Sequence, residues 1–215
     1  MPPNLKKSLC PFLLLLAVLL AGVGCENFGG AGAGQFHTVV VDPGHGGHDY
    51  GGRARFGINE KDLALDTALR LRSELEHRGF KVVMTRSTDV FIPLDERVAI
   101  SNSTPDSIFV SVHYNWDRYR AGHGVETYYC SPNSGRLAAN VLHELAGAYR
   151  TVDRGVKNGC WIRVLRKNRR PAILVECGFD SNPSENAILQ TSAGRQSIAE
   201  AIASGIQAER NGRNP

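Results

Sequence analysis

Four polar side chains stand where a chain presents groups rather than packs them. Thr38-Val39-Val40-Val41-Asp42-Pro43 runs into Gly44-His45-Gly46-Gly47, Ser107 to Val112 runs into His113, Pro171 to Val175 runs into Glu176, and Asn59-Glu60 opens a helical pattern. Strand ends in parallel α/β sheets converge on the edge where ligands bind. Two imidazoles with a carboxylate select zinc or a similar transition ion over magnesium or calcium, which prefer oxygen shells. Three protein ligands leave a fourth position for water, the arrangement of a catalytic rather than a structural site. The ion lowers the pKa of that water, and a second carboxylate can take its proton. Such a site hydrolyses an amide or an ester. Spacing alone does not say which of Glu60 and Glu176 would bind the ion and which would act as base.

The elements that must hold these groups follow from periodicity. The β-branched run Thr38–Val41 has the pattern of a strand buried on both faces in a parallel sheet. Pro43 ends it, and the glycines that follow carry His45 outward. A dinucleotide-binding loop is the rival reading, but Asp49 stands where its third glycine belongs and no helix follows directly. Asn59 is placed to cap a helix with Asp62 completing a capping box, and Ala64, Ala68, Leu71 and Leu75 recur at helical spacing until Gly79. Further strands are predicted at Phe80–Thr85, Ser107–His113, Gly124–Tyr129, Trp161–Leu165 and Pro171–Glu176. A helix after Pro93 turns Leu94 and Val98 inward; Leu137, Val141 and Leu145 mark another. Asn182-Pro183-Ser184-Glu185 starts a short helix with a capping box, and Ile198, Ile202 and Ile206 mark the last.

Each site residue also has a structural use. A strand-end histidine can bind a backbone carbonyl, Glu60 favours a helix dipole, and Glu176 can pair with arginine. Their placement together on one sheet edge is what points to catalysis. His37, His77, His123 and His143 lack that placement and read as surface or satisfied histidines, and His48 reads as loop. Strand alternation turns Cys177 away from Glu176, against a nucleophilic thiol. From Arg150 to Arg170 eight basic residues face one acid, Asp153. They form either a solvated connection around the Trp161–Leu165 strand or a basic rim that meets substrate carboxylates.

Lys6 and Lys7 precede the apolar run Phe12–Leu20, the layout of a secretory signal over residues 1–24. Cys25 stands where that run gives out, which points to a lipidated, membrane-anchored protein; ordinary cleavage near Ala31-Gly32-Ala33 is the alternative. Residues 25–35 read as a flexible spacer, 36–208 as a single catalytic domain and 209–215 as a frayed tail. Removing the signal takes away two lysines and no acid, so the formal charge falls from +4 to +2. A balance so close to neutral does not favour nucleic acid as a partner. Three cysteines remain in the domain. Cys130–Cys160 is the first disulfide to test, with buried thiols as the alternative.

Four segments in register resemble the zinc-dependent N-acetylmuramoyl-L-alanine amidases of the Amidase_3 type. They are Val41-Asp42-Pro43-Gly44-His45-Gly46-Gly47, Asn59-Glu60-Lys61-Asp62, Ser111-Val112-His113-Tyr114-Asn115 and Val175-Glu176-Cys177-Gly178-Phe179. The resemblance runs from about Thr38 to Gln207 and includes Asp153-Arg154-Gly155-Val156-Lys157 and Ser181-Asn182-Pro183. It implies one zinc ion held by His45, Glu60 and His113, with Glu176 as the catalytic glutamate. The implied fold is α/β, a three-layer sandwich with a mixed, mostly parallel sheet flanked by helices, similar to zinc exopeptidases. The implied activity is cleavage of peptidoglycan between the lactyl group of N-acetylmuramic acid and the first L-alanine of the stem peptide. The implied location is the periplasm or cell envelope. A zinc peptidase acting on free peptides and a non-catalytic wall-binding protein are the alternatives. Tyr114 and Cys177 depart from the family's usual residues. Only Cys130 to Gly135 separates the Val125–Tyr129 strand from the next helix, where regulated members carry a long inhibitory insertion, so the sequence does not require an activator protein.

Overall fold

The computed structural model describes residue 33 and residues 35–52, 57–148 and 150–215. The signal, Cys25 and most of the spacer lie outside the described residues. In chain order the elements are β1 (Thr38–Pro43), α1 (Glu60–His77), β2 (Lys81–Met84), α2 (Leu94–Ser103), β3 (Ser107–Asn115), β4 (Val125–Tyr129), α3 (Gly135–Ala148), β5 (Asp153–Asn158), α4 (Arg163–Arg166), β6 (Ala172–Phe179), α5 (Pro183–Leu189) and α6 (Ser192–Arg210).

The strands form one sheet in the order β2-β1-β3-β6-β4-β5. Every neighbouring pair is parallel except β4 against β6. Because successive strand side chains point to opposite faces, the apolar runs feed two separate cores. Val39, Val41, Val110, Val112, Ile173 and Val175 pack with Leu71, Leu145 and Ile202 of the long helices α1, α3 and α6. Val40, Phe109 and Leu174 face the other way, toward Val98 of α2 and Val164 and Leu165 of α4. Each fully buried Val, Leu or Ile contributes about 1.5–3 kcal/mol, so both helical layers are held chiefly by this burial. The result is a three-layer α/β sandwich with a mixed, mostly parallel sheet.

Several local expectations are corrected. The strand expected at Trp161–Leu165 is the short helix α4, and the edge strand β5 lies upstream at Asp153–Asn158. An edge strand needs little apolar surface, which Val156 supplies, while Val164 and Leu165 bury themselves from a helical turn. Leu94 is 49% exposed. The inward face of α2 is Arg97, Val98 and Ser101 instead, because Arg97 is drawn to the buried carboxylate of Asp42. Asn59 precedes α1 but its side chain makes no capping bond. Asn182 does cap α5, accepting from Ser184 N and Glu185 N, whereas Glu185 turns away from the box. Its carboxylate accepts from Phe179 N and Gly124 N and from the Thr151 hydroxyl, tying the end of β6 to the segments that lead into β4 and β5. The tail expected to fray from Glu209 is helical to Arg210. Glu209 is buried against Arg136 and accepts from Ala33 N. Cys130 and Cys160 form a disulfide, and Cys177 is a thiol in the core.

Candidate active site

His45 sits beyond β1 with φ 59, in the left-handed region. Two buried arginines hold the turn there. Arg86 donates to the carbonyls of Pro43, Gly44 and Lys61, at 3.1, 2.6 and 2.8 Å. Arg97 donates to Asp42 Oδ1 at 2.8 Å, to Pro43 O at 2.6 Å and to His45 O at 2.6 Å. Gly44 is required by a close approach, since a Cβ there would overlap the imidazole of His113. His45 Nδ1 lies 2.9 Å from Asp49 Oδ2, so the carboxylate orients the ring and leaves Nε2 facing inward.

Glu60, in the first turn of α1, meets both imidazoles. Its Oε1 lies 3.0 Å from His45 Nε2 and 3.0 Å from His113 Nδ1, and also accepts from Tyr114 N at 3.1 Å. Its Oε2 accepts from Gly52 N at 2.6 Å. One ligand atom from each of His45, Glu60 and His113 lies within 4.8 Å of the others. Burial opposes the charge of Glu60, but the hydrogen bonds from His113 and His45 outweigh it and hold the carboxyl well below the usual range. Burial likewise opposes a charged His45, and the Glu60 and Asp49 carboxylates overcome it and raise its pKa.

Glu176 stands in register with His113 on the adjacent strand, so both point from the same face of the sheet. It lines the same cleft as His45, Glu60 and His113. Its Oε2 is buried with no hydrogen-bond partner among the described residues. Burial first, then the nearby Glu60, Glu126 and Asp180 carboxylates, pushes its pKa well above the ordinary value. A carboxyl in that state binds a proton readily, as a general base must. Cys177, one residue on, points into the opposite core.

The sequence-predicted residues His45, Glu60, His113 and Glu176 are thus brought to one cleft. His48 is exposed, its ring tilted against Phe91, and it does not line the cleft of Glu176. Asp49, Arg86, Arg97, Glu126 and Asp180 were not anticipated. The one available signal for this supporting set was Asp42, an acid inside a run otherwise reading as strand core. Within the basic segment, Arg154 and Lys157 turn onto Glu126, and Arg163 and Lys167 onto Asp95. These four cations answer acids of the chain itself.

The chain matches the N-acetylmuramoyl-L-alanine amidase family, Amidase_3, over residues 39–208. It is 36% identical over 172 residues to the N-acetylmuramoyl-L-alanine amidase LytC of Bacillus subtilis, covering 78% of this chain and 34% of LytC. It is also 36% identical over 173 residues to the uncharacterized protein YqiI of the same organism, covering 79% of this chain and 82% of YqiI. Among solved structures it resembles the catalytic domain of CwlV from Bacillus (Paenibacillus) polymyxa var. colistinus, with TM-score 0.75 and 36% identity over 80% of this chain and 97% of that one. The amidase AmiC2 of Nostoc punctiforme superposes with TM-score 0.76 at 36% identity, covering 83% of this chain and 97% of that one. A match across nearly all of the folded region settles the kinship: this chain belongs to the N-acetylmuramoyl-L-alanine amidases of the Amidase_3 family.

Proposed function

We propose that this chain is an exported zinc amidase that hydrolyses peptidoglycan at the amide between the lactyl group of N-acetylmuramic acid and L-alanine. The observation that carries the reading is the convergence of His45 Nε2, His113 Nδ1 and Glu60 Oε1 beside Glu176, whose Oε2 has no hydrogen-bond partner among the described residues. Two imidazole nitrogens and one carboxylate oxygen form a donor set suited to zinc. A zinc ion held by these three residues supplies Lewis acidity and lowers the pKa of a water. Asp49 keeps the His45 ring turned inward, and the Arg86 and Arg97 cage keeps its backbone in place. Glu176 takes a proton from the attacking water at its carboxylate and returns it to the L-alanine nitrogen as the C–N bond breaks.

Between β4 and α3 the chain has only a 3-10 turn at Pro132–Ser134. Among the described residues no inhibitory helix fills that connection, which supports activity without an activator. Residues 1–24 serve as an export signal and 25–35 as a spacer to the domain, with attachment through a lipidated Cys25. No helix among the described residues is long and apolar enough to cross a membrane. The chain then acts at the cell envelope. Cys25→Ala should release it from membranes; a wild-type chain recovered wholly soluble would refute the anchor.

The deciding experiment is mass spectrometry of purified cell wall digested by the zinc-loaded chain alone. Free stem peptides headed by L-alanine are expected. Cleavage of free stem peptide with the wall untouched would instead favour a peptidase, and binding without cleavage a wall-binding protein.

A further inference from the structure

The chain has two tryptophans, Trp116 and Trp161, and both line the cleft that holds Glu176. Neither is there to fill the core: Trp116 is 48% and Trp161 72% exposed. Trp116 follows β3 directly after Asn115. Trp161 approaches from the far side of β6, in the turn after β5, with its ring edge-on to Tyr128 at 6.0 Å between centroids. That turn is fastened at its base by the Cys130–Cys160 disulfide and by Gly159 N donating to Tyr129 O at 2.7 Å. An exposed indole on a stapled turn beside a catalytic group has been positioned for a ligand rather than left over from folding.

The chemistry of the walls narrows that ligand. The cleft shared by the two indoles contains carboxylates and imidazoles but no lysine or arginine among its described lining residues. That lining offers no lysine or arginine to pair with the free carboxylates of a stem peptide. A muramyl ring whose lactyl carboxyl is tied up in the amide is neutral, and its C–H faces suit the electron-rich faces of indoles. We infer that Trp116 and Trp161 form a pyranose subsite that takes the muramyl sugar. This rests on the amidase reading above and assigns specificity residues within it.

The two indoles also supply the test, because all tryptophan emission of the protein comes from this cleft. The probes are an N-acetylglucosamine–N-acetylmuramic acid disaccharide with its lactyl carboxyl capped as the methylamide, and the dipeptide L-Ala-D-Glu. Titrated into the full chain, the disaccharide should change the emission and the dipeptide should not at equal concentration. Trp161→Ala should weaken disaccharide binding by roughly tenfold or more, the scale of a truncated aromatic anchor, and Trp161→Phe should restore most of it. In turnover of intact muropeptide the loss should fall on KM, with metal content and unfolding midpoint unchanged. Emission that answers the dipeptide but not the disaccharide, or a Trp161→Ala protein that binds the disaccharide as wild type does, overturns the subsite. Wild type that cleaves the wall without binding the disaccharide refutes the subsite alone. Disaccharide binding by a chain that leaves the amide intact refutes the amidase reading alone.

Discussion

Glu126 and Glu176 stand directly opposite each other across the antiparallel β4–β6 pair, yet their carboxyls are in opposite electrostatic states. Burial opposes the charge of Glu126, but Lys157, the Tyr128 hydroxyl and Arg154 donate to it and lower its pKa. Asn115 donates to it as well, at 2.8 Å. Glu176 Oε2 has no such donor among the described residues, and the pKa of its carboxyl is raised. Neighbouring acids pushed apart in this way suit different roles: on the proposed reading Glu126 is a fixed anion and Glu176 the group that exchanges a proton.

Glu176→Gln should therefore keep the zinc and the fold while hydrolysis falls by at least about 10²-fold, the scale of losing a positioned general base. Glu60→Ala and His113→Ala should lose the metal itself. Zinc content and turnover measured on the same preparations decide the matter. A Glu176→Gln protein stripped of zinc beside a Glu60→Gln protein that retains it would reverse the two roles.

Arg97→Met should act at a distance from the chemistry. Arg97 and Asp42 form a buried ion pair, 3% and 1% exposed, and removing the cation strands the carboxylate at a cost of about 3–5 kcal/mol. With the cage around His45 O opened, zinc affinity should drop by about 10–100-fold. Urea unfolding and competitive zinc titration read the two effects separately; an unchanged affinity would show that Arg86 alone holds the turn.

Asp180 gives the metal-free protein a distinctive pH response. Burial first, then the Glu60 carboxylate, pushes its carboxyl from 3.8 up to about 7. Between those values the folded chain holds a proton that the unfolded chain has released, so this group's contribution falls as pH rises and is gone above the folded pKa. Asp180→Asn should lessen the loss of stability between about pH 4 and about pH 7 and leave the protein more stable at the higher pH. Unfolding midpoints of the chelated proteins test this, and an unaltered pH slope would exclude Asp180 as its source.

The Cys130–Cys160 bridge closes a loop with a sequence separation of 30. On chain-entropy grounds its removal in Cys130→Ala/Cys160→Ala should cost about 3–4 kcal/mol of stability. Denaturant unfolding of oxidised wild type beside the double variant measures it. Equal midpoints would mean that the Trp161 turn is held by its hydrogen bonds alone.

The strands that build the sheet centre were legible in the sequence because burial on both faces forces continuous apolar runs, and a polar residue ending such a run is presented at the sheet edge. That local logic located His45, His113 and Glu176, and the helix-start pattern located Glu60. It failed where local signals were weak: at the edge strand β5, which needs little apolar surface, and at α2, where Arg97 rather than Leu94 turns inward. The contrast between Glu126 and Glu176, the arginine cage around His45 and the placement of Trp116 and Trp161 on one cleft were decided only in three dimensions. Each depends on side chains distant in sequence, such as Arg97 and the His45 carbonyl, 52 residues apart. Charge, desolvation and hydrogen bonding act through space, so only the folded chain fixes which acid is neutralised and which is left to react.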